Sequence, residues 1–233
     1  MHSERIVRAS FDASKYARAE PDPLVKEFVE SLNEERIKEG VEKLAAFHTR
    51  NSLSVDGRNA GVWIKERAEE LGCENVRLMD YRNNYIPNVV CEVKGRTADA
   101  AQVVVGAHYD SRSTGLTNVT QRAPGADDNA SGSASILEML RVVKELSVKG
   151  IHFQRTIMFA WFSGEEQGLY GSEALAKDLK KRGAKVEAML NLDMIGFPQK
   201  SAPQALWWDS DGVTRNLTDL GISLTKLYLG EGT

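Results

Sequence analysis

Four short segments of this 233-residue sequence carry side chains that could do metal-dependent chemistry: His108-Tyr109-Asp110, Gly125-Ala126-Asp127-Asp128-Asn129, Glu165-Glu166 and Asp193. Together they supply one histidine and six acids with no thiolate, a donor set that suits zinc. Three carboxylates beside one histidine suit a pair of divalent ions better than one closed structural zinc, and a pair of ions about 3.5–4 Å apart needs a bridging carboxylate. Asp127, in a tight glycine-flanked turn, is the candidate bridge. Asp110 lies two residues beyond His108, so in an extended segment both side chains project to one side. Asp110 can then accept the proton on the imidazole nitrogen turned away from metal. Adjacent Glu165 and Glu166 cannot point the same way, so one can bind metal while the other takes a proton from the attacking water, as amide hydrolysis requires. Each segment also has a plain structural reading: a packed core histidine, an N-cap at Asp127-Asp128-Asn129, a solvated loop at Glu165-Glu166. Asp193 differs, because an acid inside Leu190-Asn191-Leu192-Asp193-Met194-Ile195 must find a strong partner or lose its charge.

The four segments belong together because of where the predicted strands end. Apolar, β-rich runs fall at 76–81, 88–93, 102–107, 156–162, 186–192 and 205–208, separated by turn signals. Helical spacing follows Asp22-Pro23 (Val25, Phe28, Val29, Leu32), Asn33 (Ile37, Val41, Leu44, Phe47) and Asp56 (Ala60, Ile64, Ala68, Leu71, then Gly72). It recurs over 131–146, 172–182 and 213–229. Near-continuous apolar strands alternating with helices imply an α/β fold, a three-layer helix/sheet/helix with a mixed, mostly parallel central sheet. In open sheets of this kind function collects beyond the carboxyl ends of the strands, which is where His108, Glu165 and Asp193 fall.

Composition narrows the partners. Lys+Arg 30 against Asp+Glu 33 leaves a net charge of -3, giving no electrostatic reason to expect nucleic acid or an anionic membrane. No window approaches 18 consecutive apolar residues, and the first thirty residues show no signal-peptide pattern. Cys73 and Cys91 lack metal-ligand spacing and are read as two half-buried thiols rather than a bridge. Residues 1–50 read as an N-terminal helical appendage and 51–233 as the catalytic domain. Trp207-Trp208 is read as packing rather than as pocket wall.

Taken with their flanks, the segments are Gly106-Ala107-His108-Tyr109-Asp110-Ser111, Gly125-Ala126-Asp127-Asp128-Asn129-Ala130-Ser131-Gly132, Gly164-Glu165-Glu166-Gln167-Gly168-Leu169-Tyr170-Gly171-Ser172 and Asn191-Leu192-Asp193-Met194-Ile195-Gly196. In this order, across residues 47–233, the chain resembles the zinc aminopeptidases with two co-catalytic metals, of the bacterial leucyl aminopeptidase type. The resemblance implies a zinc exopeptidase fold and hydrolysis of N-terminal residues from peptides with a free N-terminus. It implies that Asp127 bridges two zincs, His108 and Asp193 complete one site, Glu166 binds the other, Glu165 is the general base and Asp110 orients His108. It further implies a cis Asp127–Asp128 bond and favours a secreted or periplasmic location. The family pattern also has a histidine ligand far downstream, whereas the histidines here are His2, His48, His108 and His152. The expectation is therefore a catalytic domain lacking its C-terminal part, holding one zinc tightly and turning over near background. A glutaminyl cyclase-like single-zinc transferase and a non-catalytic binding domain of the same fold are the alternatives.

Overall fold

The computed structural model describes residues 12–97, 100–197, 207–210 and 212–230. Its helices are α1 (Pro23–Glu30), α2 (Glu34–Ala46), α3 (Val55–Glu70), α4 (Gly132–Val148), α5 (Tyr170–Lys181) and α6 (Arg215–Leu229). Its strands are β1 (Arg77–Met79), β2 (Asn88–Val93), β3 (Gln102–His108), β4 (Thr156–Phe162) and β5 (Val186–Asn191). The chain divides into two compact units, Met1–Glu30 with Pro198–Thr233, and Ser31–Phe197, so the expected boundary after residue 50 falls inside the second.

In the second unit the strands form one sheet in the order β1-β2-β4-β3-β5. β3 pairs in parallel with both β4 and β5, while β2 runs antiparallel to β4 and β1. Four strands therefore run one way and only β2 opposes them, the mixed, mostly parallel arrangement expected. In the parallel register His108 pairs with Phe162, and Gly106 with Asn191, which brings the carboxyl ends of β3, β4 and β5 to one edge.

Alternation of side chains along the strands gives the sheet two apolar faces. On one, Val90, Val104, Met158, Ala160 and Phe162 pack with Leu175 and Leu179 of α5. On the other lie Val89, Cys91, Val105, Phe159 and Trp161, all buried, and the Trp161 indole donates to the Ser133 carbonyl at the start of α4 at 3.0 Å. Burying each such side chain contributes about 1.5–3 kcal/mol, so covering both faces makes the sheet a rigid base for the loops at its edge.

Local signals set the helix ends. Asn33 Oδ1 accepts from the Arg36 N–H at 3.1 Å and starts α2 as its sequence suggests. α3 begins at Val55, one residue before the expected Asp56, because Ser54 Oγ accepts from the Gly57 N–H at 2.8 Å. β2 and β4 match the expected ranges, whereas β1 is shorter. Of the expected strand at 205–208, residues 205 and 206 lie outside the described residues and Trp207 and Trp208 are not in a strand. The Trp208 ring lies against Gly221 of α6, a packing role, while Trp207 is exposed.

The expected free thiols are not found: Cys73 and Cys91 form a disulfide and both are buried. The turn that ends α3 delivers Cys73 to the face of β2 on which Cys91 lies, with the Cα atoms 6.3 Å apart, inside the span a disulfide allows. Two cysteines 18 residues apart carry no trace of that packing in the sequence. No helix among the described residues is long and apolar enough to cross a membrane.

Candidate metal centre

His108, the last residue of β3, is buried and faces the loops that follow β4 and β5. Its Nε2 lies 3.0 Å from Asp128 Oδ1, 3.5 Å from Asp193 Oδ1 and 3.9 Å from Glu165 Oε2. Ligand atoms of His108, Asp128 and Asp193 all fall within 4.8 Å of one another, close enough to share one ion. On the other side of the ring, Nδ1 is 3.1 Å from the Asp110 carbonyl oxygen and 3.5 Å from its carboxylate. The fully buried Asp110 carboxylate also accepts from Ser52 Oγ at 2.9 Å and from the backbone N–H groups of Glu165 and Glu166 at 3.3 Å each. Asp110 thus ties the imidazole to the turn that carries the two glutamates.

The structure brings Asp128 into this group and leaves Asp127 out, contrary to the expected bridge. Asp127 Oδ1 accepts from the Gly196 N–H at 2.8 Å and its carbonyl accepts from Ser131 Oγ at 2.7 Å, which commits it to the loop after β5. Asp128 leaves helical geometry inside the irregular turn Ala126–Ser131, at φ −102° and ψ 96°, and its carboxylate turns to His108. The cis bond is likewise one residue later than expected, at Asp128-Asn129.

The same turn is held from several sides. Gly125 has φ 49°, a left-handed conformation open to glycine, and a Cβ there would collide with the Asp128 carbonyl. Asn129 Nδ2 donates to the Leu192 carbonyl at 2.9 Å, and Gly132 approaches the same carbonyl so closely that only a glycine fits. Those two contacts fix the approach of Asp193, two residues beyond the end of β5.

Arg50, which the sequence reading passed over, is fully buried and pins the turn from below. Its Nε donates to the Tyr109 carbonyl at 2.7 Å, Nη1 to Leu44 at 2.9 Å and to Pro124, and Nη2 to Gly125 at 2.8 Å. Burial lowers its pKa to about 10 against the pull of Asp110, Asp128 and Glu166, which leaves it charged at neutral pH. An arginine among Thr49, Asn51 and Ser52 looks like a surface residue, so no pattern in the sequence marks it or Ser52.

Electrostatically the site is built for a cation. Burial opposes protonation of His108, yet Asp110, Asp128 and Asp193 outweigh it and raise the imidazole to about 12, so the surrounding carboxylates favour positive charge at the ring. Hydrogen bonding to His108 lowers the Asp128 carboxyl. Burial raises both Glu165 and Glu166, and the Asp128 charge raises Glu166 further. Glu166 does not join the three-ligand group; its Oε2 pairs with Arg112 Nε at 2.5 Å. His48 bonds the Thr120 carbonyl at 2.8 Å, and His152 precedes β4 at the opposite end of the sheet. An imidazole nitrogen with two carboxylates, the ring buried and both acids open to solvent, is a donor set that fits zinc.

Residues 88–222 match the model for peptidase family M28. Leucine aminopeptidase 1 of Arthroderma otae is 33% identical over 216 residues, covering 88% of this chain and 57% of that protein. LapB from Legionella pneumophila superposes with a TM-score of 0.80 at 26% identity, over 95% of this chain and 59% of that one. The glutaminyl cyclase of Tannerella forsythia shares the fold, with a TM-score of 0.56 over 71% of this chain and 63% of that one, at 23% identity. The chain therefore spans a little over half the length of the relatives it matches. With sequence and fold in agreement, the chain belongs to peptidase family M28, the zinc aminopeptidase family its motifs resemble.

Proposed function

We propose that this site is the centre of a zinc-dependent exopeptidase that removes N-terminal residues from peptides with a free amino terminus. The observation that carries the reading is the convergence of His108, Asp128 and Asp193 on one point with Glu165 Oε2 3.9 Å from the imidazole. His108, Asp128 and Asp193 would hold one ion, and Asp128 with Glu166 a second. Bound there, zinc supplies polarisation of the scissile carbonyl and acidification of the attacking water.

The chain's own residues do the rest. Glu165 is half-buried and burial raises its carboxyl, which improves it as a base that takes the water's proton and returns it to the leaving amine. Asp110 holds the His108 ring and, through the backbone of Glu165, the base itself. The free-amine requirement is supported by the relatives named leucine aminopeptidase. The disulfide supports a secreted or periplasmic location, where oxidising conditions preserve such bonds.

A single-ion transferase of glutaminyl cyclase type is the second reading, favoured by the presence of only one three-ligand group among the described residues. Zinc content by elemental analysis, read beside turnover of a leucine anilide and cyclisation of an N-terminal glutamine peptide, separates the two. Glu165→Gln is expected to keep its zinc while kcat on the anilide falls by about 10²–10⁴-fold. Zinc lost on Glu165→Gln and kept on Glu166→Gln would exchange the two roles. Cyclisation without anilide turnover would establish the second reading instead.

A further inference from the structure

Glu166 is the proposed ligand that the structure shows already engaged. Its side chain is 7% exposed and bound to Arg112, which is 44% exposed and lies just beyond Asp110-Ser111 on the loop that leaves β3. Of the two acids proposed for the second ion, Glu166 therefore already holds a cation that the chain itself provides.

We infer that Arg112 is an internal counter-ion at the second metal position, competing with the second ion so that the protein binds one ion tightly and another only when the guanidinium gives up Glu166. The inference rests on the metal reading proposed above. Its physical basis is that a guanidinium cannot shed its charge and occupies carboxylate lone pairs in a fixed geometry. A divalent ion reaching Glu166 must either displace that bond or sit beside an uncompensated positive charge in a pocket only partly open to solvent. The first position is different, because none of its ligands, His108, Asp128 and Asp193, makes a hydrogen bond or ion pair with Arg112 among the described residues.

Zinc titration of the chelator-stripped protein tests this by calorimetry, with cobalt(II) absorption as a second readout, on the parent, Arg112→Gln and Arg112→Met. The first ion is expected to bind all three proteins alike. The second is expected to bind both variants at least about tenfold more tightly than the parent, the effect of removing one positive charge near the ion. A second step that is unchanged or weaker in both variants would overturn the inference and show that Arg112 supports Glu166 instead of competing for it. If neither the parent nor the variants bind zinc at all, the metal reading itself fails and the inference with it, a result distinct from a first step that survives without the expected second.

Discussion

Replacing Arg50 by methionine removes the tie between the turn that carries Asp128 and the rest of the fold while nearly conserving volume. Four carbonyl oxygens, those of Leu44, Tyr109, Pro124 and Gly125, lose the guanidinium as donor, although Leu44 keeps the Phe47 N–H and Gly125 that of Ala130. A hydrogen bond from a charged group contributes about 1.5–3 kcal/mol, so the gross loss is roughly 6–12 kcal/mol. Burying the guanidinium costs several kcal/mol, and that cost disappears with the charge. The net expectation is about 3–5 kcal/mol of lost stability, or roughly 6–20 °C in Tm at about 2–4 °C per kcal/mol for a domain of this size. Arg50→Lys keeps the charge but offers one ammonium to acceptors on three separate segments, so its loss should fall between parent and Arg50→Met. Thermal melts followed by circular dichroism give the ranking, and zinc affinity measured well below the melt should fall in the same order as the Gly125 turn loosens. A methionine variant that melts within about 2 °C of the parent would show that water replaces the guanidinium at little cost and that the turn holds itself.

Asp128→Asn should lose most of the bound zinc, whereas Asp127→Asn, which disturbs the contacts with Gly196 and Ser131, should keep it; the reverse order in a zinc titration would restore Asp127 as the ligand. Asp110→Asn can offer only one carbonyl oxygen to the three donors its carboxylate now serves, so zinc affinity should drop by about 10–100-fold without vanishing. Equal losses from Asp110→Asn and Asp128→Asn would show that Asp110 is itself a ligand. Cys73→Ser with Cys91→Ser opens a loop of 18 residues and should cost about 3 kcal/mol in denaturant unfolding, and an unchanged midpoint would mean the bond is not formed in solution.

How much of this is legible in the sequence depends on whether a feature is set by the period of the chain or by contacts across it. Strand and helix periods put His108, Glu165 and Asp193 at one sheet edge, because parallel strands must all end on the same side and their loops must meet there. Motif order then pointed to the family, and the donor types pointed to zinc. Which of two adjacent aspartates faces the histidine is not a periodic property. It is decided by backbone dihedrals inside one irregular turn, by the Gly196 amide that captures Asp127, and by Arg50 beneath Gly125. The same holds for Cys73 and Cys91, whose pairing follows from where α3 ends over β2, and for Arg112, whose hold on Glu166 joins residues 54 positions apart. Sequence by itself determined the class of fold, the edge of the sheet at which chemistry collects and the kind of ion it suits. Tertiary structure alone decided which side chains touch, because a carboxylate's partner is chosen by angstrom-scale geometry among segments that the chain brings together only when folded.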